Sequence, residues 1–405
     1  MSHVVSFSIE GLNGRSQPLE YTLNRDVNVF FGKNGSGKTS ILKILHGAMS
    51  ADVQHLQQVS FTKASVTIHT VSRSCDFTLT YEKGTTDTTN AGTESSSTTL
   101  ADEATAVGPT IQTHPAPQWQ VTTIFKPDTT IPIQRWRHVY LPTSRLFMPE
   151  RGTISVWERM AYSRGAGSSV DSEELLDEAF AESLQQVWRL TFGEVQSALN
   201  SIQQKGLQRI LAEVLASDET DRVPRAVSRP LDADKAFERM TNFLARQSPG
   251  KLSRRVGSKE EFVRRYGIDQ RLRTIVNYID VIEARIERQM RPTNQLEKLV
   301  QRLFSKEKSI NFDGPSISVT TSGGGKIEIE NLSSGEKHLI RILLSAISSQ
   351  ESSLLIDEPE MSMHIDWQRE LISNIRTVNP ECQLIFATHS PDIMAEISDE
   401  KVFRV

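Results

Sequence analysis

Apolar residues follow two distinct patterns near the two ends of the chain. Val27–Phe31 and residues 354–356 are short, mostly apolar runs, typical of strands buried on both faces of a parallel sheet. Residues 39–46 instead place apolar side chains at helical spacing. Because strand-like and helix-like patterns follow one another, the sequence predicts an α/β fold whose core uses both ends of the chain.

A different pattern separates these ends. Residues 59–82 alternate apolar and polar side chains in two runs, which predicts a half-buried antiparallel hairpin beside the core. Residues 84–117 are dominated by Thr, Ser, Ala, Gly and Pro and contain hardly any large apolar side chains. Such a segment cannot bury enough surface to offset its ordering entropy, so we expect a flexible loop there.

Helical periodicity dominates the middle of the chain. Asp171 and Glu174 form a helix-start pattern, and apolar residues follow at helical spacing. A second helical pattern covers residues 272–286, and Pro292 is expected to break or kink it. Its apolar register is too short to predict a coiled coil. The predicted organisation is an N-terminal lobe (1–149), a compact helical insertion (150–308) and a C-terminal lobe (309–405).

Composition narrows the class of protein. The chain has 405 residues, 37% hydrophobic and 24% charged, with a net charge of −4, which is ordinary for a globular protein. It contains no apolar run long enough to span a membrane and no secretory leader pattern at its N-terminus, so we expect a cytoplasmic protein without membrane contact. Cys75 and Cys382 are too few for a disulfide framework or a zinc site.

The residues between the first strand and the first helix form the motif G-x-x-x-x-G-K-[ST], a phosphate-binding loop. Its glycines let backbone N–H groups wrap a phosphate, and the helix dipole adds roughly half a positive charge. We expect Lys38 to bridge the β- and γ-phosphates of ATP, and the Thr39 hydroxyl to ligate Mg²⁺. The residues expected to bind the nucleotide here are Gly32, Lys33, Asn34, Gly35, Ser36, Gly37, Lys38, Thr39 and Ser40.

A second apolar run ends in two carboxylates, Asp357 and Glu358. This is the pattern of a buried strand that presents acids at its C-terminal edge, where open α/β sheets bind ligands. Asp357 is expected to hold Mg²⁺, and Glu358 to orient or deprotonate the attacking water. Together with the phosphate loop, this pair predicts an enzyme that hydrolyses ATP to ADP and phosphate.

Two flanking segments indicate the class of ATPase. Residues 332–337 read L-S-S-G-E-K and precede a helical pattern, and residues 383–389 form an apolar strand that ends in His389. The order of these motifs resembles the ABC ATPase superfamily: Walker A, signature, Walker B, switch histidine. The signature departs from L-S-G-G-Q at Ser334 and Glu336, and its Glu-Lys ending is similar to the chromosome-maintenance and DNA-repair branch.

Residues 357–368 and 387–391 narrow the resemblance to OLD-type ATPases, including the stand-alone ATPase subunits of bacterial anti-phage systems such as PARIS and Septu. The resemblance covers about residues 1–50 and 326–405. It implies an ABC head of two lobes, and it implies that His389 contacts the γ-phosphate. Because the sequence stops at Val405, with no room for the nuclease that some relatives carry, we expect a separately encoded effector.

The superfamily also has a glutamine loop that this sequence does not display. The nearest equivalent is a strand at residues 139–141 that runs into Ser144 and Arg145, whereas Gln134 precedes it. Ser144 and Arg145 are candidate replacements, and a surface turn is an equal alternative.

Residues 221–308 are basic, with 21 Lys plus Arg against 12 Asp plus Glu. Such an excess can bind DNA phosphates or an acidic protein. The alternative is a solvated helical surface with pairs inside one helix, such as Glu283 with Arg285.

Three functions remain open. In the first, an ATP-driven homodimer or higher homo-oligomer senses a phage trigger and controls the effector, each site combining the Walker A motif of one copy with Ser333, Ser334 and Gly335 of the other. The second is a DNA-binding repair ATPase resembling RecF, with duplex DNA on the basic insertion. The third is a nucleotide-gated scaffold with little hydrolysis.

Overall fold

The computed structural model describes residues 2–71, 73–83, 118–123, 135–143, 172–215, 232–247, 257–304 and 308–405. Contacts divide the chain into two compact units, one of Met1–Met148 with Ser333–Val405 and one of Pro149–Leu332. The predicted α/β fold, with its core assembled from both ends of the chain, is confirmed. The predicted loop at 84–117 and the helix start at Asp171 lie outside the described residues.

The elements are numbered here in chain order. The strands are β1 (Ser2–Glu10), β2 (Leu19–Thr22), β3 (Val27–Phe31), β4 (Lys63–Thr70), β5 (Cys75–Glu82), β6 (Gln120–Thr123), β7 (His138–Leu141), β8 (Lys308–Asp313), β9 (Ser316–Thr321), β10 (Lys326–Ile327), β11 (Ser353–Asp357), β12 (Gln383–Thr388) and β13 (Val402–Arg404). The helices are α1 (Lys38–Ser50), α2 (Ser172–Leu215), α3 (Ala233–Gln247), α4 (Lys259–Ile268), α5 (Gln270–Phe304), α6 (Ser334–Ser349) and α7 (Ile365–Val378).

The first unit is built on a parallel sheet with the strand order β13-β3-β12-β11-β7. Every residue of β11 and β12 is buried, which explains their nearly continuous apolar sequences. Helix α1 contacts β7, β11 and β12, while α6 contacts β7 and β11. Since all five strands run the same way, the residues that follow β3, β7, β11 and β12 meet at one edge of the sheet.

The first unit also contains an antiparallel sheet with the order β2-β1-β4-β5-β6. In β4, inward and outward side chains alternate along the strand, and residues 63–70 pair with residues 82–75 of β5. The hairpin predicted from the alternation at residues 59–82 is therefore confirmed. The buried apolar face of this sheet shares one core cluster with α1 and the parallel sheet.

The second unit is mainly helical. Helix α2 has 44 residues and α5 has 35, so each extends well beyond the apolar pattern from which it was predicted. The two helices contact each other. A buried cluster that includes Phe243, Phe262 and Ile279 joins α3, α4 and α5.

Pro292 was expected to break or kink the helix, and the break does not occur. Helix α5 continues through Pro292 to Phe304. Proline removes one backbone hydrogen bond and costs about 3 kcal/mol in a helix interior. Leu296, Leu299 and Val300 are buried beyond it, and burying side chains of this size stabilises by roughly 1.5–3 kcal/mol each, which offsets that cost.

Residues 309–332, which the sequence analysis assigned to the C-terminal lobe, cluster with the helical unit. Strands β8, β9 and β10 form a three-stranded antiparallel sheet. Trp188 of α2 donates from Nε1 to the carbonyl of Gly314, and the Gln185 side chain bonds both backbone groups of Ile317. These contacts attach the small sheet to α2. Among the described helices, none combines the length and the hydrophobicity that a membrane span requires.

Candidate functional site

The glycine-rich loop joins the end of β3 to the first turn of α1. Gly35 and Gly37 have φ values of 80° and 103°, which lie in the left-handed region that side chains disfavour. At Gly32 a Cβ atom would lie 2.7 Å from the carbonyl oxygen of Val405 and 2.8 Å from Ser36 Oγ. The loop therefore requires glycine at these positions for its backbone conformation and for its packing.

Lys38 points into the loop that it ends. Its residue is only 4% exposed, and Nζ donates to the carbonyls of Gly32 at 2.8 Å and Lys33 at 3.0 Å. A buried ammonium group held inside a ring of backbone is a fixed positive charge at the helix N-terminus. It is the charge that a bound polyphosphate requires.

The start of α1 has unsatisfied donors that fit an anion. Gly37 is the N-cap, and no side chain caps the helix there. The hydroxyl of Ser36 is buried and has no hydrogen-bond partner among the described residues. First-turn N–H groups and a buried hydroxyl of this kind are normally satisfied by a ligand when no side chain does so, and phosphate oxygens suit them.

The structure adds one segment to the loop that the sequence analysis missed. The turn at Leu12–Gly14 follows β1, and Arg15 directly after it donates from Nη2 to the carbonyl of Ser36 at 3.1 Å. Asn13 has a left-handed φ of 51°, and its Nδ2 atom would lie 3.2 Å from a Cβ at Gly37. No motif marks residues 11–15, so only the fold reveals that they support the phosphate loop.

Asp357 lies at the end of β11 and is 2% exposed. Its Oδ1 accepts a hydrogen bond from the Thr39 hydroxyl at 3.1 Å, and its Oδ2 accepts one from the Thr143 hydroxyl at 2.7 Å. Burial raises the pKa of Asp357 because it disfavours the charged form, and the two hydroxyl bonds oppose that rise. A buried carboxylate is thus connected directly to the end of the phosphate loop.

Thr143 is a second residue that the sequence analysis missed. It follows β7, which pairs with β11 in the parallel sheet. The sequence placed the equivalent of the glutamine loop after this strand, with Ser144 and Arg145 as the candidate residues. Ser144 and Arg145 lie outside the described residues, as does Gln134.

Glu358 has an unusual backbone. Its φ is 49°, although it is not glycine, and its N–H donates to the carbonyl of Ala387 at 2.8 Å. A left-handed non-glycine residue costs about 1–3 kcal/mol and is found mainly where function requires it. The conformation turns the chain sharply after β11, and the Glu358 side chain is 19% exposed.

His389 follows β12, next to Glu358. Its Nδ1 lies 3.2 Å from Glu358 Oε2 and 3.1 Å from Glu360 Oε1, and its side chain is 47% exposed. The two strands pair in register with Asp357 opposite Ala387, which brings the residues that follow them together. The predicted base and the predicted switch histidine are therefore in contact.

The signature segment begins α6. Ser333 is the N-cap, and with Glu336 it forms a reciprocal capping box, with Ser333 N–H donating to Glu336 Oε2 at 2.7 Å and Glu336 N–H to Ser333 Oγ at 3.3 Å. A Cβ on Gly335 would lie 2.3 Å from the carbonyl oxygen of Ser362, so only glycine fits there.

Ser333 and Ser334 are exposed, whereas Gly335 is buried. Within the described part of the chain, residues 333–335 form no hydrogen bond with residues 32–40. The structure thus brings Lys38, Thr39, Asp357, Glu358 and His389 to one sheet edge but does not join the signature segment to them.

A phosphate loop with a buried lysine, facing Asp357 and Glu358 at the carboxyl edge of the same parallel sheet, defines an ATPase of the P-loop class. The chain belongs to the family described as "AAA domain, putative AbiEii toxin, Type IV TA system", whose model matches residues 189–395, just over half of the 405 residues. Nucleotide binding follows from this class.

Two curated relatives are similar over shorter stretches. The retron Vc95 probable ATPase of Vibrio cholerae serotype O1 biovar El Tor is 32% identical over 102 residues, which are 22% of this chain and 20% of that protein. The Septu protein PtuA of Bacillus thuringiensis is 35% identical over 106 residues, 22% of this chain and 26% of that protein. The matches span only a fifth to a quarter of these relatives. The resemblance to defence ATPases is confirmed at this level.

Among solved structures, the chain is similar to an Smc head domain with an extended coiled coil, bound to the C-terminal domain of ScpA, from Pyrococcus furiosus. The identity is 13% and the TM-score 0.41, and the match covers 98% of this chain and 92% of that one.

Proposed function

We propose that this chain is the ATP-binding and ATP-hydrolysing switch subunit of a bacterial anti-phage system. The observation that carries the proposal is the direct link from the phosphate loop to the buried acid, through the hydroxyl of Thr39 and the carboxylate of Asp357. In this proposal Lys38, the first-turn N–H groups of α1 and the Ser36 hydroxyl bind the phosphates.

The residues around Asp357 fit Mg²⁺. The Thr39 hydroxyl and the Asp357 carboxylate are hard oxygen ligands, and Mg²⁺ is usually bound through one or two such protein groups together with substrate phosphates. A cation there would offset the burial of the carboxylate. When bound, Mg²⁺ would neutralise charge that develops on the β- and γ-phosphates.

Glu358 is the general base of the proposed reaction. Its carboxylate orients water and accepts the proton that the water loses as it attacks the γ-phosphate. His389, held beside that carboxylate, contacts the γ-phosphate through Nε2, the ring nitrogen that does not face the glutamates. Both side chains are partly exposed, so they are accessible from the side on which the nucleotide binds.

The exposed signature residues support a two-chain site. Ser333 and Ser334 start a helix, and their exposed N-terminal turn suits a phosphate from another copy. We propose that two chains enclose two nucleotides, and that this cytoplasmic dimer holds or releases a separately encoded effector when a phage trigger is sensed. The similarity to retron and Septu proteins supports the defence setting.

The proposed turnover is tested by phosphate release from the purified chain with ATP. We expect turnover with Mg²⁺ and none after EDTA treatment, because without the cation the negative charge that develops on the phosphates is not neutralised. Tight ATP binding without any phosphate release, also in the presence of candidate partners, would favour the nucleotide-gated scaffold.

Replacing Thr143 with valine is expected to weaken the metal site. The hydroxyl that fixes Asp357 Oδ2 disappears while the volume stays nearly constant. Loss of such an orienting bond typically costs about 10- to 100-fold in metal affinity or activity. The Mg²⁺ concentration at half-maximal turnover should rise accordingly, whereas Thr143→Ser should stay close to wild type. An unchanged Mg²⁺ dependence of Thr143→Val would mean that Thr143 does not support the metal.

A DNA-binding function is the second candidate. In the helical unit, Lys205 and Arg209 of α2 and Arg285 of α5 line one pocket with Tyr278, and no ion pair joins these three cations to another described residue. The expected pair of Glu283 with Arg285 does not form, because Glu283 contacts Arg239 at 2.7 Å instead. Unpaired cations around an aromatic ring suit a nucleic-acid phosphate backbone.

If these three cations bind DNA phosphates, the affinity for a short duplex should fall by about 40-fold between about 50 and 200 mM salt, because bound counterions are released. Changing Arg209 and Arg285 to alanine should lower the salt slope by about one per lost phosphate contact. Fluorescence anisotropy measures both, and Lys235→Ala, a charge removed from the exposed part of α3, is the matched control. Binding that is absent, or equal in all variants, would leave a protein partner for this surface.

A further inference from the structure

Glu360 is buried between the segment that follows β11 and residues 388–390 at the end of β12. Its carboxylate has no role in the reaction described above. The residue is 8% exposed. Its Oε1 accepts hydrogen bonds from the Thr388 hydroxyl at 2.6 Å, from the His389 N–H at 2.9 Å and from the Ser390 N–H at 3.1 Å. A buried carboxylate that accepts this many bonds fixes the groups that donate them.

Glu360 Oε1 also lies 3.1 Å from His389 Nδ1, and Glu358 Oε2 lies 3.2 Å from that same nitrogen. Carboxylate oxygens only accept hydrogen bonds, so Nδ1 is the ring nitrogen that donates to the glutamates. Nε2 is then the nitrogen that faces the nucleotide, and it donates to a phosphate oxygen only when it carries a proton as well. Glu360 therefore determines both where the ring lies and which nitrogen it presents.

The loop is also held from its other side. Ser390 Oγ donates to Gln368 Oε1 at 2.8 Å, and Gln368 Nε2 donates to the carbonyls of Met363 at 2.9 Å and Glu360 at 3.4 Å. These bonds link α7, the segment after β11 and the loop after β12 in one network. The network holds His389 beside Glu358.

A bound cation is the alternative for these side chains, because Glu358, Glu360 and His389 each offer one ligand atom within 4.8 Å of the others. Glu360 Oε1, however, already faces four N–H or O–H donors, which is more than its lone pairs can satisfy fully. Oε1 in that state is a poor metal ligand, and a cation would have to bind through Oε2, which is buried without a partner among the described residues. The geometry favours a carboxylate that holds the loop.

We propose that Glu360 is a positioning residue for ATP hydrolysis, which acts by fixing the ring and the backbone of His389 beside the general base Glu358. This inference rests on the proposed ATPase reaction. It predicts that Glu360 affects turnover and leaves nucleotide binding nearly unchanged, since none of its contacts reaches the phosphate loop.

Glu360→Gln removes the charge of the carboxylate and keeps one acceptor oxygen, while its amide nitrogen replaces Oε2, which is buried without a partner among the described residues. The bonds from the Thr388 hydroxyl and from the N–H groups of His389 and Ser390 then lose their charge-assisted character and about half of their strength. We expect kcat for ATP to fall about 10-fold, the lower end of the usual effect at an orienting partner. KM and the affinity for a fluorescent ATP analogue should change by less than about twofold, because interactions made in the transition state are lost while ground-state binding is kept.

A double-mutant cycle separates positioning from general support of the fold. In a His389→Ala background, Glu360→Gln should lower kcat by no more than about threefold, because residues that act through one another are not additive. If Glu360→Gln shows no cooperative melting transition, Glu360→Asp replaces it in the cycle. This variant keeps the charge but shortens the side chain by one methylene group.

An equal loss of kcat in both backgrounds, or unchanged kcat in Glu360→Gln, would overturn the inference while the proposed ATPase function stands. A wild-type chain that releases no phosphate would instead remove the proposed function, and the inference with it.

Discussion

Changing Glu358 to glutamine is expected to lower ATP turnover by about 10²- to 10³-fold, the usual contribution of a general base. Glutamine has nearly the same shape, but its amide cannot accept the proton from the attacking water. ATP binding should persist, because Thr39 keeps its bond to Asp357 and Lys38 keeps its bond to the carbonyl of Gly32. The variant should therefore hold ATP under conditions in which the wild type holds ADP, as measured by phosphate release and by chromatography of the bound nucleotide.

The matched control is Glu396→Gln, an exposed glutamate of the same unit, which should keep wild-type turnover. Strong residual hydrolysis in Glu358→Gln would assign the base to another group. Loss of nucleotide binding would show instead that Glu358 has a structural role, for which its left-handed backbone would be the physical reason.

Lys38→Ala is expected to remove turnover and to weaken ATP binding. Hydrogen bonds of charged groups contribute about 1.5–3 kcal/mol, which corresponds to a loss of affinity of roughly 10- to 100-fold. The variant also leaves the carbonyls of Gly32 and Lys33 without their donor, so the loop itself should loosen. Titration with a fluorescent ATP analogue measures the affinity, and phosphate release measures the turnover.

Lys63→Ala removes the same charge from β4 of the antiparallel sheet and should behave as the wild type in both assays. If Lys38→Ala bound ATP with wild-type affinity, the phosphate loop would not be the nucleotide site. The class assignment made from the sheet edge would then fail.

The parts of the site that could be predicted are those that short sequence patterns determine. Val27–Phe31, the glycines and Lys38 follow one another directly, so strand, loop and helix are visible in one window. Asp357 ends one largely apolar strand and His389 directly follows another, which marks the carboxyl edge of a parallel sheet.

The parts of the site that sequence patterns did not reveal depend on contacts between distant segments. Thr143 and Asp357 are 214 residues apart, and Glu360 reaches the loop after β12 from 28 residues away. A threonine or a glutamate in a polar turn has no distinguishing local pattern, so only strand order places it. The same reason explains why Arg15 was missed.

Local sequence patterns also could not predict how far the helical unit extends. Helix α5 passes Pro292 because the buried residues that follow it stabilise the helix, and periodicity cannot weigh that packing against a lost hydrogen bond. Residues 309–332 join this unit through the side chains of Gln185 and Trp188, which are more than a hundred residues earlier in the sequence.

The most direct test of the proposed switch is the mass of Glu358→Gln measured by light scattering with and without ATP and Mg²⁺. Ser333 and Ser334 are exposed and, among the described residues, bond none of the phosphate loop, and in the proposed dimer they contact the nucleotide of a second copy. We expect the mass of Glu358→Gln to double with ATP and Mg²⁺ and to remain that of a single chain without them. The mass of Lys38→Ala should remain that of a single chain in both conditions. A mass of Glu358→Gln that is the same with and without ATP would contradict the proposed switch.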